Sequence, residues 1–447
     1  MLGQMKGMKK LESTKSNRFL AVILGGNRGA YGLAQAFYEA YDQQSVVISP
    51  YQTGPILHSR IVDHYLQASP MDIDQLLQTL DQIDRDYPEA EKLIFGSDDC
   101  YVELLVEHRH RFAEKWQVPY VERETYDQVT VKSSFYELCQ QIGVPYPRTS
   151  ILNSDNRRFS LGFPVIVKPA QTPDYQTLRF EGKQKVYICY DEQEASEKIA
   201  LIYKNGYSGE LIVQEYIQGD DQTLGIVTAY VAKKDRQLKL LSYSNVLVDD
   251  PTPSAIGNSL AGIVRREPEI EESVKKLLAA SDFYGFATFD VKYDQARDEY
   301  VFFELNGRLG SSNYYVTASG NNVARYYVED FIFNREIAES TTAEDILYTV
   351  LPKPLLLHMV AKGERNKVKH FYNQGKVTRF LHAPYERHPS RKAYLLASSL
   401  NYIKKLFFFP SLERKVMRKK QPQTFKHDLV QRMSDSPAEN LAHKNNM

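Results

Sequence analysis

At 447 residues and 51.5 kDa the chain is longer than a single hydrophobic core usually grows, so two to four lobes of roughly 100 to 150 residues are expected. Its 56 lysines and arginines against 56 aspartates and glutamates exclude the global positive field that nucleic acid would call for. Three cysteines (Cys100, Cys139, Cys189), far apart and without metal-ligand spacing, exclude a disulfide framework and a zinc site and fit a reducing, cytoplasmic compartment.

The polar, basic start MLGQMKGMKKLESTKSNR leads into a short apolar run, FLAVILGG, where a first strand is expected rather than a signal peptide or a membrane span. That strand, Phe19 to Leu24, enters the turn Gly25-Gly26-Asn27-Arg28-Gly29-Ala30-Tyr31-Gly32. A helical pattern then runs through Ala40, opening a βαβ unit. Further apolar strands are predicted at Ser45 to Ile48 and Lys92 to Gly96, the second ending in Ser97-Asp98-Asp99. Up to about Gln128 the chain therefore reads as a doubly wound α/β lobe.

TVKSSFYELCQQIGVPYPRT predicts a helix broken at Gly143 and closed by Pro145 and Pro147. Strands at Phe163 to Pro169, Lys185 to Tyr190 and Leu211 to Ile217, with a helix over Asp191 to Gly206, make a separate α+β module. Apolar runs at Leu224 to Ala232, Lys239 to Val248, Ala287 to Tyr293 and Tyr300 to Leu305, around a helix over Pro268 to Ser281, predict a larger, mainly antiparallel sheet. After about Tyr348 come LPKPLLLHMV, a basic loop and YIKKLFFFPSLERKVMRKKQPQ. From Arg391 onward Lys and Arg outnumber Asp and Glu, which points to a partner at that end. The closing DSPAENLAHKNNM is polar and expected to be disordered.

Several positions have two readings. Lys168, between apolar strand residues and Pro169, is either a solvated strand lysine or a ligand for an anion. Asp290 is either a strand-end acid or a metal ligand. Glu304 sits within the aromatic strand YVFFEL, where an unpaired charge would be costly; Asn306 shares its face by the period of two, and Arg308 continues that face if the strand persists. Asp98 and Asp99, at the carboxyl end of a strand, either cap a helix or meet a cationic amine. GGNRGAYG lacks the G-x-G-x-x-G spacing. It is either a tight turn or a substrate contact through Gly26, Asn27 and Arg28. Gly310-Ser311-Ser312 is either a plain turn or a set of groups holding a second substrate. The basic, aromatic KKLFFFP either lies on an anionic membrane or packs as a final helix.

An early lysine on a helix, a lysine on a strand, an acid strand followed by Gly-Asp-Asp and two late acid strands form the inventory that nucleoside triphosphate chemistry requires. Lysines neutralise phosphates, and hard oxygens hold Mg²⁺. In this order Lys132, VIVKP with Lys168, Gln214-Glu215-Tyr216-Ile217 with Gly219-Asp220-Asp221, Asp290, and Glu304-Leu305-Asn306-Gly307-Arg308 resemble the ATP-grasp superfamily, from about Ala21 to Arg335. Within it, the glycine turn, the Asp98-Asp99 segment and the length look most like the carboxylate-amine ligases that include bacterial D-aspartate ligases of peptidoglycan side-branch synthesis.

The resemblance implies an α/β and α+β, ATP-grasp fold: an N-terminal doubly wound lobe (18–130), an ATP-grasp domain (131–345) with a lid at about 150–217 and a central mainly antiparallel sheet, a C-terminal domain (346–433) and a disordered tail (434–447). It implies that Lys132 and Lys168 contact the α- and β-phosphates of ATP. Gln214 would accept from the adenine amino group, and the backbones of Glu215 and Ile217 would bond the purine edge. Asp221 would hold the ribose, with Asp220 as competitor. Asp290, Glu304 and Asn306 would ligate one or two Mg²⁺ ions, and Arg308 with Lys168 would stabilise the transferring phosphoryl group. The family's glycine-rich lid loop is replaced by AQTPDYQTLRFEGKQKV, with a single Gly182, leaving Arg179, Lys183 or Lys185 to reach phosphate.

The activity so implied is ADP-forming amide synthesis through an acyl phosphate. The donor would be a small amino acid such as D-aspartate, and the acceptor the amine of a nucleotide- or lipid-linked stem peptide, at the inner face of the membrane. No His or Cys nucleophile is needed. A related peptide ligase, an ATP-dependent phosphotransferase and a non-catalytic nucleotide-binding module are the rival readings.

Overall fold

The computed structural model describes residues 18–408 except 171–174, 176, 253–254, 256 and 342–343. Three sheets organise it. The first carries strands β1 (Phe19–Leu24), β2 (Ser45–Ser49), β3 (Val62–Leu66), β4 (Glu91–Gly96) and β5 (Trp116–Gln117), all parallel in the order β3-β2-β1-β4-β5. β1 is buried along its whole length, as expected of a strand covered on both faces, and reads FLAVIL accordingly. Helices α1 (Arg28–Tyr41), α2 (Ile73–Asp86) and α3 (Asp99–Glu107) accompany this sheet, followed by α4 (Arg123–Thr130) and α5 (Lys132–Ile142). At Gly25 φ is +85° and an added Cβ would lie 2.3 Å from Ser97 Oγ, so only glycine allows β1 to turn there. α5 stops at Gly143, which is left-handed as the sequence predicts.

The second sheet, β6 (Thr149–Leu152), β9 (Leu211–Glu215), β7 (Val165–Pro169) and β8 (Tyr187–Cys189) in that order, carries helix α6 (Glu192–Lys204) and a small core of its own built on Val165, Val167, Tyr187, Ile199 and Val213. The sequence reading missed β6. In β7 Val165 and Val167 point into that core, so period two turns Ile166 and Lys168 towards the cavity.

The third sheet runs β14-β13-β10-β11-β12-β16-β17 from β10 (Leu224–Val231), β11 (Leu238–Asp249), β12 (Ser259–Arg265), β13 (Gly285–Asp294), β14 (Glu299–Asn306), β16 (Ile346–Thr349) and β17 (Val377–Thr378), with β15 (Ser340–Thr341) beside β11. Its main ladders are antiparallel. Helices α7 (Pro268–Ala280), α8 (Tyr314–Ala318), α9 (Val323–Tyr327), α10 (Lys353–Met359), α11 (Arg365–Asn373) and α12 (Pro389–Phe408) complete the order. β12, overlooked in the sequence, joins β11 to β16. The residues expected as a C-terminal domain thus add β16 and β17 to the central sheet. Their Leu356, Phe371 and Leu395 share one core with Ile23 and Phe37 of the first lobe and Tyr230 and Phe286 of the third sheet. The tail 434–447 and most of FFFPSLERKVMRKK fall outside the described residues.

Candidate active site

A cavity of about 1140 Å³ opens between the three sheets. Its walls include Lys132, Lys168, Gln214, Ile217, Asp220, Asp221, Asp290, Glu304, Asn306 and Arg308, so residues up to 176 positions apart in the chain meet there. Each strand contributes through its register. β13 and β14 pair antiparallel with Asp290 opposite Glu304 and Thr288 opposite Asn306, setting two carboxyls and an amide together. β14 ends at Asn306, yet Arg308 still reaches the cavity, held by its carbonyl's bond from Thr288 Oγ1 (2.8 Å).

Lys132 is the first residue of α5. Its Nζ lies 3.5 Å from Glu304 Oε2 and 3.3 Å from the Ala170 carbonyl. Lys168 Nζ donates to Gln214 Oε1 at 3.1 Å. Burial, and next the neighbouring Lys132, lower the Lys168 pKa to about 8. Burial and the facing Glu304 push Asp290 well above the usual carboxylate range. Burial would raise Glu304 too, but Lys132, a hydrogen bond from Asp290 and Lys168 outweigh it and hold this carboxylate below its usual range. Two facing carboxyls thus share a proton, the state expected where a cation is wanted between them. With Asn306 they offer hard oxygens, and Mg²⁺ typically takes only one or two carboxylates besides phosphate and water, so the donor set fits that ion. No cluster of three or more His, Cys, Asp or Glu suited to a metal occurs among the described residues, so a larger all-protein metal cage is not present there.

Other expected site residues stand differently. Gln214 is fully buried: its Nε2 donates to Tyr136 Oη (2.8 Å) and Thr149 Oγ1 (3.0 Å), and its Oε1 accepts from Lys168. An adenine amino group is therefore not its evident partner; the amide holds Lys168 in place. Glu215 faces away from the cavity, gripped by Arg148 (2.8 Å) and Arg297. Ile217 lines the cavity while its carbonyl accepts from Lys292 Nζ (2.9 Å). Asp221 accepts from the Asp249 amide (3.1 Å), and Asp220 caps the short turn by accepting from Gln222 N (3.0 Å).

Asp99, expected to cap a helix or meet an amine, has both carboxylate oxygens on Arg308, at 2.6 and 2.8 Å. The carboxylate is already occupied by a guanidinium, whose fork geometry matches it. Asp98 occupies the cap position of α3 but makes no capping bond; it accepts from the Cys100 thiol instead. Gly26, Asn27, Arg28, Ser311 and Ser312 stand just outside the cavity wall. Asn27 caps α1 through the Ala30 amide and donates to the Ser97 carbonyl, the Gly26 carbonyl accepts from Thr53, Ser311 donates to Asn258 Oδ1 (3.1 Å), and Ser312 bonds Tyr348. Of the three cations expected near the lid loop, Lys185 lines the cavity, whereas Lys183 donates to the Leu178 carbonyl at 2.7 Å.

Sequence reasoning missed Lys292 and Asp249. Lys292 follows Asp290 by two on β13 and so shares its face, a signal legible in FDVK. Asp249 lines the cavity beside Asp221, and burial together with that second acid raises its pKa to about 7. Nothing in LVDDPTP distinguishes it.

No family model matches the chain. A D-aspartate ligase of Enterococcus faecium (strain Aus0004) is 31% identical over 376 residues, which cover 80% of this chain and 88% of that protein. Among solved structures, an ADP complex of N5-carboxyaminoimidazole ribonucleotide synthetase is similar with a TM-score of 0.54 at 14% identity, covering 74% of this chain and 81% of that one. An L-amino acid ligase from Bacillus licheniformis gives 0.51 at 11% identity, covering 70% and 74%. At these identities the structures speak for the fold.

Proposed function

The chain belongs to the D-aspartate ligase family of ATP-grasp carboxylate-amine ligases, and from that footing we propose that it uses ATP to join D-aspartate, or a similar small amino acid, to the amine of a peptidoglycan precursor peptide. The observation that carries this reading is the convergence of Lys132, Lys168, Asp290, Glu304, Asn306 and Arg308 on one cavity. At about 1140 Å³ it exceeds the usual range for a single small ligand, as a site for ATP and two further substrates must.

Lys132 and Lys168 bind the triphosphate as point charges, with Gln214 and Tyr136 fixing the Lys168 stem. Ile217 meets the purine through its backbone amide, since its carbonyl is taken by Lys292. Asp221 holds the ribose. Asp290, Glu304 and Asn306 would hold Mg²⁺, which when bound supplies charge neutralisation of the phosphates. The donor carboxylate attacks the γ-phosphorus in line, the bond to the β–γ bridging oxygen breaks, and ADP leaves with an acyl phosphate formed. Arg308, oriented by Asp99, and Lys168 stabilise the charge on the transferred group. The acceptor amine then attacks the acyl phosphate carbon, releasing phosphate and leaving the amide.

The acceptor is a nucleotide- or lipid-linked stem peptide, and the enzyme works at the cytoplasmic face of the membrane. In support, α12 sets exposed Leu396, Leu400 and Lys404 on one stripe at intervals of four. Among the described residues no helix is long and apolar enough to cross a membrane. The deciding experiment is ADP release screened over L- and D-amino acids, with and without a stem-peptide acceptor. Stimulation by D-aspartate that yields amide only when the peptide is present is the expected result. ADP release that needs no amine acceptor and leaves a phosphorylated product would favour a phosphotransferase.

A further inference from the structure

An alkyl ammonium, with a pKa of about 10.4, is no nucleophile until it loses a proton, so the amide-forming step needs a group that accepts one. Among the described residues no histidine or cysteine lines the cavity, which leaves its carboxylates. Several are already engaged: Asp290 and Glu304 by the Mg²⁺ position, Asp99 by Arg308, and Glu103 and Asp127 by Arg123. Lys168 also titrates near neutrality, but triphosphate beside it keeps it charged.

Asp249 stands apart from these. It ends β11 opposite Ser259 of β12, half-buried, and lines the cavity. Its carboxylate accepts from the Gly257 amide (2.9 Å), and among the described residues no cation forms an ion pair with it. The charged groups around it are Asp221, whose carboxylate accepts the Asp249 amide, Asp250, 3.9 Å from Lys405 Nζ, and Arg28 of α1, within electrostatic range. Burial and Asp221 carry its pKa to about 7, which narrows the gap to an alkylamine from about six pH units to about three.

The wall on which Asp249 stands runs to the reaction centre. A Cβ on Gly257, whose amide Asp249 holds, would stand 3.9 Å from Lys185 Nζ, and Lys185 acts electrostatically on both Asp290 and Glu304. The next residue, Asn258, accepts from Ser311 (3.1 Å), three residues beyond Arg308. Gly257, Asn258, Lys185 and Arg308 all line the cavity with Asp249.

Resting on the ligase reading, we propose that Asp249 is the catalytic base of the second half-reaction, accepting a proton from the ammonium of the incoming acceptor. The neutral amine so formed makes its C–N bond at the carbonyl carbon of the acyl phosphate, and the bond from that carbon to the phosphate oxygen breaks. A second nitrogen proton leaves with the phosphate, the third stays on the amide, and Asp249 returns its proton to solvent.

The test compares two acceptors at saturating ATP and D-aspartate. One is a stem peptide with a single free lysine amine; the other is hydroxylamine, counted as free base, which forms a hydroxamate without help from a base. Every step before acceptor attack cancels in the ratio of their kcat/KM values, as does the fraction folded. In the native chain the ratio of peptide to hydroxylamine rises with pH and levels off above about 7. In Asp249→Asn it falls about 100-fold at neutral pH and climbs on towards about pH 10 as free amine appears. A variant that keeps the native ratio, with both acceptors unaffected or slowed alike, overturns the assignment. So does a native ratio without the bend at about 7, which decides the matter even if the variant does not fold. A native chain that forms neither amide nor hydroxamate from any small amino acid overturns the ligase reading itself, and the base with it.

Discussion

Glu304 and Lys168 show how single residues acquire a task from their neighbours. With Asp290 opposite and Lys132 at 3.5 Å, Glu304 is the carboxylate that stays charged in the pair. Glu304→Ala is expected to abolish ATP turnover while circular dichroism and thermal melting show a folded chain; near-normal turnover would remove it from the metal site. Lys168 has its pKa lowered to about 8, so its buried charge costs stability at low pH and that cost is relieved as pH rises from about 8 towards 10.5. Triphosphate beside it restores the charge. ATP binding at about pH 9 should therefore take up a proton, seen by calorimetry in buffers of different ionisation enthalpy, and the uptake should vanish in Lys168→Met. Asp249 behaves oppositely, being raised to about 7: the ligand-free protein should lose stability as pH climbs from about 4 to 7, and Asp249→Asn should flatten that slope.

Among the elements, the segment after β9 matters most, because it lines the cavity through Ile217, the residue proposed to meet the purine, while joining the second sheet to the third. Gly219 has φ +126°, and an added Cβ would lie 2.5 Å from Thr223 Oγ1. Lys292 of β13 holds the segment from below through the carbonyls of Ile217 (2.9 Å) and Gly219 (3.1 Å). Lys292→Met leaves those acceptors without their cation, and the expected outcome is a KM for ATP raised about 10-fold with kcat little changed, by steady-state kinetics. Equal losses in kcat and kcat/KM would place Lys292 in the chemistry instead.

Across the whole molecule, the C-terminal segment acts as a strap. Arg391 and Glu386 are both nearly fully buried. Glu386 accepts from Ser59 Oγ (2.5 Å), Tyr31 Oη (3.3 Å) and the Arg60 amide (3.1 Å), and Arg391 stacks 4.3 Å from the Tyr31 ring. Removing one partner strands the other's charge, so Arg391→Ala should cost about 3 to 5 kcal/mol in denaturant unfolding.

The sequence by itself determined the element order wherever an apolar run was long or a helix carried its own stop. β1, β4, β7, β10, β13, β14 and α7 could all be read from their period, and α5 from Gly143. It also singled out Glu304, because a charge inside an aromatic strand is costly unless paired, while Lys132, Lys168, Asp290 and Asn306 were picked out by the family resemblance; the structure brings all five to one cavity. β6, four residues and mostly half-exposed, and β12, an apolar run broken by Gly262, took their strand character from the partners they pair with. Tertiary structure alone decided that Asp99 belongs to Arg308, that Gln214 is spent on Lys168, that Lys292 holds the segment after β9 and that β16 and β17 enter the central sheet. Each of these is a contact between distant segments, and side-chain hydrogen-bonding valence is assigned only once the chain has brought the competing partners together.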